Sequence, residues 1–165
     1  MVNLPEPGLY RTSKAYPGQE QALPAGALIH VGKRERDGAT FAVRPGENRK
    51  NRWYWGEPTT LLRAATWGET LTRLPAEGFY TLPREISLEG GGRWLENAIV
   101  QLGYNGEGRG ILFIGEDQED EVRNVLAFSD RGMLIDDALL IALRPAPILP
   151  VLRRGTSTTT PNLPR

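Results

Sequence analysis

His30 is the only histidine, so any imidazole proton transfer would have to use it. A general base needs a nucleophile or an orienting carboxylate beside it. His30 instead lies between Ile29 and Val31 in an alternating run, and 71 positions on its place is taken by Gln101. A strand position filled by His in one segment and Gln in the other reads as a solvent-facing side chain. Three carboxylates, Asp130, Asp136 and Asp137, could gather around Mg²⁺ or Ca²⁺ and support a metal-dependent hydrolase. Their spacing does not place ligands at alternate positions with a glycine at the sixth. A turn with Arg131-Gly132 accounts for Asp130, and a helix cap for Asp136 or Asp137. The glycine-rich run Gly103 to Gly110 lacks the lysine of a phosphate-cradling loop and carries Glu107, so it reads as a hairpin turn. With no cysteine, thiolate chemistry, disulfides and cysteine-based zinc sites are excluded. The chain offers no catalytic constellation, and neither a cofactor nor a metal is expected.

The residue types that remain suit recognition. Trp53-Tyr54-Trp55 put two indoles on one side of a strand and a phenol on the other. At least two of the six aromatics Trp53, Tyr54, Trp55, Trp67, Phe79 and Tyr80 are expected in the core, and the others on a binding face. Just before this strand, Arg44 to Arg52 carries Arg44, Arg49, Lys50 and Arg52 against Glu47. The segment Gly115 to Arg123 carries Glu116, Asp117, Glu119, Asp120 and Glu121 against Arg123. Loops of opposite sign at equivalent places can attract each other within one chain, or join chains head to tail. Exposed ion pairs contribute only about 0–1 kcal/mol each, so two independent solvated loops is the competing reading. The expected partner is another protein or further copies of the chain. The basic segment running into the aromatics, residues 44–55, also offers cations and rings to single-stranded nucleic acid. The acidic segment would oppose such a polyanion.

The elements that position these residues follow from an internal period. Ala27 to Gly32 aligns with Ala98 to Gly103 at a shift of 71, and Phe41-Ala42-Val43 with Leu112-Phe113-Ile114. Glycine (19) and proline (13) punctuate short apolar runs, the pattern of a mainly β chain. Strands are expected at Gly8 to Thr12, Ala27 to Val31 and Thr40 to Val43, with Asp37-Gly38 suited to the hairpin turn. The second segment repeats this with Ala98 to Leu102, Ile111 to Gly115 and the turn Asn105-Gly106. Third strands are expected at Arg52 to Trp55 and Asn124 to Phe128, and fourth strands at Thr59 to Arg63 and Gly132 to Asp136. A short helix follows in each, one capped by Thr66 with Leu71 and Leu74 on one face, the other over Ala138 to Arg144. Gly78 to Pro83 and Ile148 to Leu152 close the two segments as last strands. Four strands, a short helix and a last strand resemble a small SH3-like barrel, here in tandem, which implies two related β-barrel-like halves packed as a pseudo-repeat. Residues 1–25 form a proline-rich N-terminal segment, 26–88 the first module, 89–95 a glycine-rich linker, 96–153 the second module and 154–165 a disordered tail.

At 165 residues, two such modules must pack together to bury enough surface. Twenty basic and twenty acidic residues cancel, so no net field draws the chain to nucleic acid or an anionic membrane. The N-terminus lacks the basic and apolar regions of a secretory signal, and no apolar run is long enough to span a bilayer. A cytoplasmic setting and no membrane partner are the expectation.

Overall fold

The computed structural model describes residues 3–120 and 123–147. It is mainly β, with 46% strand and 7% helix. In chain order the elements are β1 (Gly8–Thr12), β2 (Leu28–Lys33), β3 (Thr40–Val43), β4 (Pro45–Arg49), β5 (Arg52–Trp55), β6 (Thr60–Leu61), α1 (Ala65–Gly68) and β7 (Leu71–Leu74). There follow β8 (Gly78–Thr81), β9 (Ile86–Ser87), β10 (Arg93–Trp94), β11 (Ile99–Tyr104), β12 (Gly110–Asp120), β13 (Arg123–Leu134), α2 (Asp137–Ala142) and β14 (Arg144–Pro145).

Two five-stranded antiparallel sheets organise the chain, ordered β6-β3-β2-β1-β7 and β13-β12-β11-β8-β14. Among the described residues both are open sheets and not closed barrels. Gly78–Thr81, expected as the last strand of the first module, instead pairs with β11 in the second sheet, Tyr80 opposite Val100. The last strand of the first sheet is Leu71–Leu74, which pairs with β1. A helix was the expectation there, because Leu71 and Leu74 are three apart. Edge pairing satisfies the backbone of this stretch, and α1 shortens to a single turn with no side-chain cap. Glu89–Gly92, expected as a linker, turns the small β9–β10 hairpin. The strands expected at Asn124–Phe128 and Gly132–Asp136 are one strand, β13, interrupted by a bulge. The segment Ile148–Leu152 and the tail 154–165 lie outside the described residues.

Packing explains why β2 is apolar on both faces. One face of the first sheet presents Tyr10, Ile29, Val31 and Ala42 to Tyr16, Leu23 and Trp67. Tyr16 and Trp67 meet edge to face at 4.9 Å, and the Trp67 indole N–H donates to the Lys14 carbonyl at 2.9 Å. The other face presents Leu9, Leu28 and Leu74 to Tyr80, Leu82, Val100, Leu102, Tyr104 and Leu112 of the second sheet. Leu28, Leu82, Val100, Leu102 and Leu112 are wholly buried there, each contributing about 1.5–3 kcal/mol of transfer free energy. Polar contacts cross the same seam. The Leu28 N–H donates to the Gly106 carbonyl at 2.9 Å, and the Tyr104 hydroxyl to the Pro75 carbonyl at 2.6 Å. The two sheets therefore share one core. Among the described residues, no helix is long and apolar enough to cross a membrane.

Candidate functional site

Neither charged segment is a loop; each is a β-hairpin. Residues 45–55 form the two-stranded β4–β5 ribbon, with Arg49 opposite Arg52. Its two-residue turn, Lys50-Asn51, has positive φ at both positions (52° and 65°), the I′ geometry that matches strand twist. Asn is among the few residues that tolerate this region. The turn is planted on the far face of the second sheet, the side away from the shared core. The Asn51 amide donates to Gln101 Oε1 at 2.9 Å and to the Ser129 carbonyl at 3.0 Å, and Gln101 Nε2 donates to the Lys50 carbonyl at 3.0 Å. A Cβ on Gly103 would stand 2.8 Å from the Asn51 carbonyl oxygen. The close approach of the turn therefore requires glycine at that strand position.

The aromatic strand divides as alternation dictates. Trp53 and Trp55 turn inward against the shared core. The Trp53 indole donates to the Tyr104 carbonyl at 2.7 Å, and Trp55 stacks on His30 with ring centroids 5.2 Å apart. Tyr54 faces out, 56% exposed, with the Arg49 guanidinium 5.2 Å from its ring centre. Arg49 also donates to Glu47 at 2.7 Å. Arg44, Lys50 and Arg52 are exposed. Two of the three rings are thus partly buried in contacts within the chain.

The acidic segment forms the outer half of a longer hairpin. Up to Ile114, β12 is flanked by both β11 and β13; from Gly115 to Asp120 it pairs with β13 alone. This outer part is a two-stranded ribbon projecting from the sheet. A bulge marks its base: Phe113 lies opposite Gly132 and Gly115 opposite Phe128. Ile114 therefore faces the three residues Ser129–Arg131, and the freed Ser129 carbonyl is the one that accepts from Asn51. Along one side of the ribbon, Phe128 packs at a tilt of 48° against Phe79, ring centroids 5.1 Å apart, and Leu126, 52% exposed, lies opposite Asp117. Glu116 and Asp117 are exposed. Glu119 and Asp120 are placed by backbone only, at Glu119 opposite Asn124 and Asp120 opposite Arg123, and Glu121 lies outside the described residues.

The basic turn and the base of the acidic ribbon therefore meet, through amides. Among the described residues no ion pair joins the two hairpins. Between them runs a groove of about 520 Å³, with Lys50 and Asn51 on one side, Phe79, Gln101, Leu126 and Phe128 along it, and Asp130 within it.

The remaining candidates separate. Asp136 caps α2, its Oδ1 accepting from the Leu139 N–H at 2.8 Å. Asp137 pairs with Arg11 at 2.7 Å, and the guanidinium holds its carboxyl below the usual range. Asp130 lies in the groove with neither, and among the described residues no group of three His, Cys, Asp or Glu could hold a metal ion. His30 is not solvent-facing as expected; burial against Trp55 pushes its pKa down, favouring neutral imidazole. Nor is Gln101, which is 6% exposed. In both cases the β4–β5 hairpin supplies the cover. Beside His30 lies a cleft with Arg52, Arg73 and Glu77 on its walls. Burial pushes the Glu77 carboxyl up, opposed by the Trp53 N–H it accepts and by the Arg52 charge.

Asn51, Gln101, Ser129 and Glu77 escaped the reading of the sequence. Only Asn51 had a local signal, as an Asn next to Lys in a segment flanked by strand-forming residues. Comparison with protein-family models, with curated proteins and with solved structures finds no match to this chain.

Proposed function

We propose that the chain is a non-enzymatic protein–protein interaction protein, an adaptor, assembly subunit or inhibitor, working in the cytoplasm. Its contacts are made by the two charged hairpins and the outward side of the aromatic strand. One observation carries this reading. Residues 115–120 and 125–128 form a ribbon whose strands pair only with each other, which bears exposed Glu116, Asp117 and Leu126 and touches the second sheet through Phe128 on Phe79. An isolated two-stranded hairpin is marginally stable in water, so a chain that keeps one gains most when a partner covers it. The β4–β5 hairpin illustrates such cover, because its turn is held by hydrogen bonds to the second sheet.

The reading includes a structural relation between the halves. The two sheets list their strands in corresponding order, and β1, β2, β3, β6 and β7 answer to β8, β11, β12, β13 and β14. On this view the units run from about residue 8 to 74 and 78 to 145, and β4–β5 answers to the acidic ribbon. The first unit's hairpin finds its acceptor within the chain, and the second unit's must find one outside. The test uses the full chain, tagged, in its native cells beside an untagged copy. Changing Glu116, Asp117, Glu119, Asp120 and Glu121 to lysine is expected to abolish recovery of a stoichiometric protein partner or of the untagged copy. Equal recovery with both baits, or none with the wild type, overturns the proposal.

A further inference from the structure

We infer that the groove between the two hairpins is a self-complementary interface, and that its occupant is the same groove of a second copy, related by a two-fold axis. The inference rests on the recognition reading above and names the partner. Across this face lie Lys50 at the basic turn, with Asp130 also lining the groove, then Phe79, Phe128 and Leu126, and Asp117 further out on the acidic ribbon, opposite Leu126. A surface that reads positive, apolar, negative matches itself when turned by 180° about an axis through its apolar centre. The apolar residues of the two copies then meet at the axis, and each Lys50 faces the other copy's Asp117 on both flanks. Leu126 and Phe128 sit on the side of the ribbon that carries Asp117, because Leu126 is opposite Asp117 in the ladder and Phe128 lies two positions on.

Charge complementarity selects this occupant over others. An acidic partner would be opposed by Asp117 and a basic one by Lys50, whereas a second copy turned about that axis sets each Lys50 against an Asp117. The chain's zero net charge also removes the long-range repulsion that would otherwise resist self-association. Nothing in the arrangement requires the halves of one chain to separate, since the face lies opposite the shared core. The contact is isologous, so it closes at two copies and does not propagate. Head-to-tail growth through oppositely charged hairpins, the other arrangement their signs permit, would leave one groove open at each end.

Light scattering on the full chain over a range of concentrations tests this. The expected species is a closed dimer of twice 18.3 kDa, and it does not grow further on concentration. Leu126 is half-exposed, so Leu126→Arg should leave the far-UV circular dichroism spectrum unchanged while weakening association about tenfold or more. Lys50→Asp alone and Asp117→Lys alone should each be monomeric; mixed one to one they should restore a dimer, and the double variant should dimerise by itself. A monomeric wild type, a Leu126→Arg mass equal to the wild type's, or open-ended growth overturns the inference. A monomer that still recovers a different protein with the tagged bait overturns this inference alone and leaves the recognition reading standing.

Discussion

Replacing Leu28 with alanine is expected to destabilise the entire chain by about 2–5 kcal/mol, and to move one unfolding transition without splitting it. Leu28 has no exposed surface, and it is a first-sheet residue whose neighbours in the core are Tyr80, Val100, Leu102 and Leu112 of the second sheet. Removing its side chain opens a cavity in the seam, so both sheets lose contacts together. Its backbone N–H is already tied to Gly106 across that seam, so local collapse to fill the space is restricted. Urea denaturation followed by far-UV circular dichroism and by tryptophan fluorescence should give coincident curves, both shifted to lower urea. Two separate transitions, with only one of them shifted, would mean that the sheets are independent domains, contrary to the shared core.

The second large effect falls on a residue with no apolar surface to lose. Asn51→Ala is expected to cost about 2–4 kcal/mol, from two sources. Alanine at φ 65° costs about 1 kcal/mol or more relative to a residue that tolerates the left-handed region. Losing the amide also leaves Gln101 Oε1 without its donor on a side chain that is 6% exposed, and an orphaned buried acceptor costs about 1–3 kcal/mol. Asn51→Gly separates the sources: it keeps the turn and loses only the hydrogen bonds, so it should recover the conformational part. Equal stabilities for Asn51→Ala and the wild type in urea titrations would show that the turn is not anchored on the second sheet.

Local rules made part of this fold legible. Strands β1 to β3 and the first halves of β11 and β12 follow from alternation together with turn residues, Gly38 taking the expected positive φ, whereas in the second hairpin the positive φ falls on Gly108 and not on Asn105-Gly106. A helix cap at Asp136 or Asp137 rests on the same kind of rule, and the structure gives it to Asp136 through its hydrogen bond from Leu139. What stayed hidden depends on contacts between distant residues. Gln101 alternates like a surface residue, and its burial comes from Asn51, fifty positions earlier. The spacing of Leu71 and Leu74 fits a helix face and a strand equally well, and the free edge of β1 decides between them. Gly78–Thr81 reads as a strand, but alternation does not say which sheet it joins. The opposite charges of the two hairpins were visible, whereas their different fates were not: the bulge at Ser129–Arg131 exposes the carbonyl that anchors one ribbon and leaves the other projecting.

Amide hydrogen exchange along β12 and β13, compared between dilute and concentrated protein, tests most directly whether the projecting ribbon is a contact surface occupied by a second copy. Amides of residues 115–120 and 125–128 should exchange quickly when dilute, and gain protection with concentration, while those of β11 stay slow throughout. Ribbon exchange that is equally fast at every concentration would contradict the account.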